Sequence, residues 1–343
     1  MERYKPAKAK PNGRAGNDYF PARRLEFIKT GCTLLDCVLG GGWVLGRPVN
    51  IVGDKSVGKT LLAIEAAANF SRQYPQGNIF YRESEAAFDV PYAKTVGLPS
   101  NKVDFGPEGI ETLWDTIDQI FDDSEKTVGR LSKSKQPGLY VIDSLDALSS
   151  IDELGRDRKK GTYGTAKPKA ISELFRTNVR DFKHTRTCYM VISQIRDKIG
   201  ATFGAKYTRA GGKALDFYSN QTLYLSHLGT LHKTVNGIKR ATGVRIRAKC
   251  TKNKVAASFG ECEFVLRYGY GIDDLVANVN WLEEIGQLTE IDVKPSQVGG
   301  FLSKSEKLPD ELYRALVKDV SSAVIQMWAK VGADFTSKRS KYA

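Results

Sequence analysis

Alternation between apolar and polar positions divides the chain into short runs with two distinct periods. Val49-Asn50-Ile51-Val52, Ile79-Phe80-Tyr81, Gly138-Leu139-Tyr140-Val141-Ile142 and Cys188-Tyr189-Met190-Val191-Ile192 are nearly continuous apolar segments of strand length. Stretches with helix-forming composition lie between them, beginning with Leu61 to Ala68. Strands buried on both faces and joined by helices predict an α/β core around a mostly parallel sheet. Downstream, Thr222–Leu225, 243–248 and 263–268 alternate between turn residues, predicting an antiparallel extension of that sheet.

The ends of the chain follow other patterns. Residues 1–28 are rich in Pro, Gly, Lys and Arg and predict a basic arm, with a short strand in Arg23–Ile28. From Thr30 the sequence starts like a capped helix running through Leu39 to a stop at Gly40-Gly41-Gly42. The core is expected over 29–272. Helical spacing of Leu275, Val279 and Leu282, then Leu316, Val320 and Val324, predicts a small α-rich domain over 273–336, followed by a basic tail, 337–343.

Where the apolar runs stop, chemistry begins. The first strand opens into Gly53-Asp54-Lys55-Ser56-Val57-Gly58-Lys59-Thr60. Its glycines permit a tight wrap whose N–H groups face an anion, and the following helix adds its positive end. Lys59 is expected to reach the β- and γ-phosphates, and the Thr60 hydroxyl to hold Mg²⁺. Glu85 follows the second strand, at the sheet edge where ligands bind in open α/β folds, as a candidate base or water-orienting group. Asp143 ends the third strand and is the candidate metal-side acid.

The net charge of +13 makes a polyanion the first partner to consider. Two segments concentrate the cations. Residues 155–169 form a glycine-punctuated loop with Tyr163 at its centre and Lys167 and Lys169 near its end. The second runs from Arg196 through Lys198, Ile199, Phe203 and Arg209 to Gly211 and Gly212. Cationic groups beside a few apolar wedges suit single-stranded nucleic acid. The five cysteines and three histidines show no metal-ligand spacing, and no run is long enough to span a membrane, so a reduced, cytoplasmic protein is expected.

Taken together, GDKSVGKT, ESEAAFD, VIDSLDAL, SQIRDKIGATFG, AGGKALDFY, TKNKVAASF and RYGYGI resemble the RecA family of DNA strand-exchange recombinases, over about residues 28 to 272. The resemblance implies an ATP- and Mg²⁺-dependent, DNA-stimulated ATPase that forms helical filaments on single-stranded DNA and pairs it with duplex DNA. A single-strand-binding protein or loader would be a further partner, and a phage origin fits the wording RQYPQGNIFYRESE. It makes Glu85 the catalytic glutamate. It sets Asp89 and Tyr92 at the adenine, with Tyr92 stacked on it and Tyr268 as a second contact. Gln194 becomes the γ-phosphate sensor. Lys252 and Lys254 reach into the neighbouring subunit's nucleotide site. Ser172, Arg176, Arg196, Gly211 and Gly212 contact the DNA backbone; Ile199 and Tyr163 occupy the places of base-inserting wedges. The sequence departs from the family in carrying Ala86 for a histidine, Asp197 inside the second loop, a shorter N-terminal region and a basic end. An ATP-binding recombination mediator and a ring helicase on the same fold remain as alternatives.

Overall fold

The computed structural model describes residues 25–112, 114–149, 166–197, 207–208 and 212–335. Nine strands form one sheet among these residues. In chain order they are β3 (Pro48–Gly53), β4 (Asn78–Glu83), β5 (Val103–Asp104), β6 (Gly138–Asp143), β7 (Thr187–Gln194), β10 (Gln221–Val235), β11 (Ile238–Asn253), β12 (Glu261–Arg267) and β13 (Gly271–Ile272). Their spatial order is β13-β12-β11-β10-β3-β7-β6-β4-β5, parallel from β10 to β5 and antiparallel from β10 to β13. Two two-residue pairs complete the strands: β1 (Phe27–Ile28) with β2 (Trp43–Val44), and β8 (Arg196–Asp197) with β9 (Tyr207–Thr208).

The period-two geometry of a strand divides the core in two. Leu139 and Val141 of β6 join Cys188, Met190 and Ile192 of β7 in one apolar cluster, against α1 (Thr33–Leu39) and α2 (Lys59–Gln73). The alternate residues, Tyr140, Ile142, Tyr189 and Val191, face the other cluster, against α4 (Ile117–Ser134) and α5 (Ala166–His184). A third short helix, α3 (Val90–Thr95), follows β4, and α6 (Gly212–Tyr218) precedes β10. Beyond β13 come α7 (Asp274–Glu284), α8 (Val298–Ser305) and α9 (Asp310–Asp334). Leu275, Leu282, Val320 and Val324 from α7 and α9 join the first cluster, so these helices share an apolar core with the sheet. No helix among the described residues is long and apolar enough to cross a membrane.

Several local expectations require correction. The first helix begins at Thr33, with Cys32 at its N-cap; Thr30 instead accepts the Cys32 amide through its hydroxyl, one turn earlier. The segments 222–225 and 243–248 are parts of a much longer hairpin, 15 and 16 residues in β10 and β11, turning at Asn236-Gly237. Residues 166–169, expected as loop, open α5. Pro168 is compatible with that position because the first turn of a helix has no amide partner for proline to remove.

Arg82 anchors the strand that leads to Glu85. Its side chain is 1% exposed and donates to Asp123 at 2.7 Å and to the Asp104 carbonyl at 2.6 Å, with the Trp114 ring centre 4.9 Å away. Tyr140 also donates to Asp123, at 2.8 Å. Arg82→Met is expected to destabilise the fold by about 3 kcal/mol or more, because Asp123 loses its buried counter-charge. Urea unfolding measures this, and an unchanged midpoint would contradict the anchoring role.

Candidate nucleotide site and nucleic-acid face

The parallel strands β3, β7, β6 and β4 end on one edge, and the candidate residues gather there. Gly53 lies opposite Gln194 in the β3–β7 register, and Glu83 lies opposite Asp143 in the β4–β6 register. Between β3 and α2 the chain wraps through left-handed conformations at Ser56 (φ 57°) and Gly58 (φ 81°). The left-handed φ at Gly58 favours glycine, and a Cβ there would also lie 2.3 Å from Leu266 Cδ1 of β12. Asp54, Lys55 and Ser56 are exposed, while Val57 is buried beneath them. No side chain caps α2, which leaves its first amides directed at the loop.

Lys59 is 8% exposed, and its Nζ donates to the Asp54 carbonyl at 2.6 Å, across the loop it belongs to. Burial lowers its pKa, opposed by the nearby charges of Asp143, Glu85, Asp54 and Asp146. Asp143 is buried and accepts the Tyr81 hydroxyl at 2.7 Å; it is also hydrogen-bonded to the Thr60 side chain. Burial raises its pKa, and these two hydrogen bonds oppose the rise. Hydroxyl and carboxylate oxygens are hard ligands, and Mg²⁺ characteristically takes one or two protein oxygens while keeping water and phosphate oxygens. Thr60 and Asp143 therefore fit the ion. No group of three or more His, Cys, Asp or Glu suited to a metal occurs among the described residues.

Glu85 is exposed beyond the end of β4 and accepts a hydrogen bond from the Ser144 hydroxyl. Gln194 Nε2 approaches the same carboxylate at 3.5 Å, while the Gln194 amide donates to Asp146 at 2.6 Å. The turn carrying Glu85 is fixed from beneath by Glu83, whose carboxylate accepts the Glu85 amide at 2.9 Å. Glu83 is 3% exposed, and burial, then the Asp143 charge, pushes its pKa up to about 7. Ser84 and Ser144 lace the two strand ends together, with the Ser84 hydroxyl accepting the Ser144 amide and donating to its carbonyl, both at 2.8 Å. Tyr81, Glu83, Ser144 and Asp146 also shape this site, though no motif in the sequence marks them individually. Proximity to Glu85 and Asp143 along the chain was the available signal.

The remaining candidates divide between two surroundings. Asp89 caps α3 by accepting the Tyr92 amide at 2.8 Å; Tyr92 itself is buried, and Tyr268 is 56% exposed. Tyr268 lines an open cavity of about 640 Å³ with Tyr270, Tyr313 and Arg267. Lys252 donates to the carbonyls of Asp216 and Phe217, and Lys254 approaches the latter at 3.5 Å; both thus lie at the C-terminal end of α6. This is the end at which a helix favours cations. Lys169, Ser172 and Arg176 lie along α5, with Lys169 and Arg176 exposed and Ser172 half-buried. Lys167 and Gly212 lie in α5 and α6, and Arg196 in β8. Tyr163, Lys198, Ile199, Phe203, Arg209 and Gly211 lie outside the described residues.

A glycine loop between a central parallel strand and a helix, with strand-end acids converging on it, marks a phosphate-binding core of the RecA-like type. A family model described as the RecA N-terminal domain matches residues 16–273. Protein RecA 2 of Myxococcus xanthus is 34% identical over 280 residues, covering 80% of this chain and 74% of that protein. Protein RecA of Streptomyces avermitilis is 34% identical over 74% of this chain and 63% of its own length, and that of a Nostoc species 32% identical over 77% and 70%. The chain belongs to the RecA family, and its function is of the RecA type, in DNA recombination.

Proposed function

We propose that the protein is an ATP-dependent recombinase that assembles as a filament on single-stranded DNA and exchanges it with homologous duplex. The observation that carries this reading is the approach of Gln194 to Glu85. One residue faces the candidate hydrolytic centre and also ends the strand from which the chain continues into the Arg196 segment.

In this reading, ATP phosphates displace the Asp54 carbonyl from Lys59 and lie against the free amides at the start of α2. Thr60 and Asp143 hold Mg²⁺, which when bound neutralises charge on the phosphate oxygens. Glu85 orients a water in line with the γ-phosphorus and takes its proton as the new P–O bond forms and the bond to the ADP oxygen breaks. Gln194 turns from Glu85 to the γ-phosphate, and the Arg196 segment changes arrangement with it. Lys252 and Lys254 leave the end of α6 to add positive charge at the neighbouring subunit's phosphates. The Lys169, Ser172 and Arg176 side of α5 meets the DNA backbone.

The test combines two measurements on the full chain. ATP hydrolysis is expected to rise at least about tenfold on adding single-stranded DNA, and electron micrographs with a non-hydrolysable ATP analogue should show helical filaments. Hydrolysis indifferent to DNA, or rings in place of helices, would overturn the proposal.

A further inference from the structure

Glu65 sits about one turn and a half beyond Thr60 on α2. It is 8% exposed and has no ion-pair partner among the described residues. Its Oε2 accepts the Tyr92 hydroxyl at 2.8 Å, and its carboxylate also accepts the Ile272 amide. Two loop backbones press against it. A Cβ at Gly31 (φ 89°) would lie 2.7 Å from Oε1, and one at Gly271 (φ 111°) would lie 3.1 Å from Oε2 and 3.4 Å from the Tyr92 hydroxyl. One carboxylate thus joins the phosphate-loop helix, α3 with its Tyr92, and the turn that carries Tyr268.

A buried carboxylate without a counter-charge costs stability, which an apolar residue of similar size would avoid. The geometry supplies a use for it. We propose that Glu65 is a positioning residue for the nucleobase, setting the gap between Tyr92 and the 268–271 turn so that the base is gripped in register with the phosphates. This inference rests on the assignment of Tyr92 and Tyr268 to the base. Glu65 would touch no substrate atom; it would act through the Tyr92 hydroxyl and the Ile272 amide.

The groups facing Glu65 are few. Tyr92 comes from α3 and the Ile272 amide from β13; Asp274 lies at the start of α7, bonded to Thr33. Arg72, on the same helix as Glu65, is engaged by the Val96 carbonyl and Asn69. Burial pushes the Glu65 pKa up to about 7, with Tyr92, Ile272 and Arg72 pulling the other way and Asp274 adding to the rise. The anion accepts both hydrogen bonds more strongly than the neutral acid does. Grip on the base should therefore tighten as pH rises through neutrality.

The experiment compares Mg²⁺-ATP with Mg²⁺-tripolyphosphate, which shares the phosphates and lacks the base, by calorimetry on the full chain. In Glu65→Leu and in Tyr92→Phe the ATP dissociation constant and KM are expected to rise about tenfold, with tripolyphosphate affinity and kcat within about twofold; Glu65→Gln restores most of the loss. The ratio of ATP to tripolyphosphate affinity should climb between about pH 6 and pH 8 in the wild type and stay flat in Glu65→Gln. Should Glu65→Leu fail to fold, Tyr92→Phe and the pH profile decide. An unchanged ratio in both, or equal loss of the two ligands, overturns the inference. Tyr92→Ala separates the two levels: if it leaves the ratio unchanged, the base assignment itself is wrong. If it lowers the ratio while Tyr92→Phe and Glu65→Leu do not, only the role of Glu65 is wrong.

Discussion

Lys59→Ala is expected to abolish ATP-induced DNA binding. Its ammonium group is held inside the loop by the Asp54 carbonyl and surrounded by the charges of Asp143, Glu85 and Asp146. Removing it leaves those acids facing incoming phosphates with no cation from α2. Truncating one member of a buried, hydrogen-bonded charge pair costs about 2–5 kcal/mol, roughly 30- to several-thousand-fold in affinity. Titration of a labelled single strand with and without ATP measures the effect. Tight binding that still responds to ATP in this variant would remove Lys59 from the phosphate site.

Glu85→Ala should separate binding from turnover. The carboxylate is exposed and touched by Ser144 and Gln194, so its loss disturbs little of the core. A positioned general base contributes about 10²- to 10⁴-fold to rate, and single-turnover hydrolysis is expected to fall by at least the lower figure. ATP affinity should stay within about threefold, because the phosphates are gripped by Lys59 and the amides of α2. Filaments formed with ATP should then outlast those of the wild type, as followed by light scattering after dilution. Ordinary turnover in the variant would show that another group orients the water.

The parts most legible in the sequence were those governed by local periodicity. Tyr140 and Val141 alternate between the two apolar clusters as residues of a doubly covered strand must, and GDKSVGKT carries its own turn chemistry. The hairpin was underestimated for a physical reason. From Ser226 to Arg240 most positions are exposed on both faces, so no burial alternation marks the strands. The helical start at 166–169 was hidden by a lysine- and proline-bearing composition that also suits a loop. Glu65 was invisible for another reason: on its own helix it resembles a solvated acid. Its burial comes from Tyr92 and Gly271, which only the tertiary fold brings beside it.

The β3–β7 register carries a thermodynamic consequence. Gly53 and Gln194 are neighbours across one ladder, and Gln194 approaches Glu85 directly. If that contact links nucleotide to DNA, the link is a coupling free energy and must be reciprocal. Whatever factor ATP lends to DNA affinity, DNA returns to ATP affinity, and each ADP left in a filament weakens the grip on the strand by the amount that the strand disfavours ADP relative to ATP.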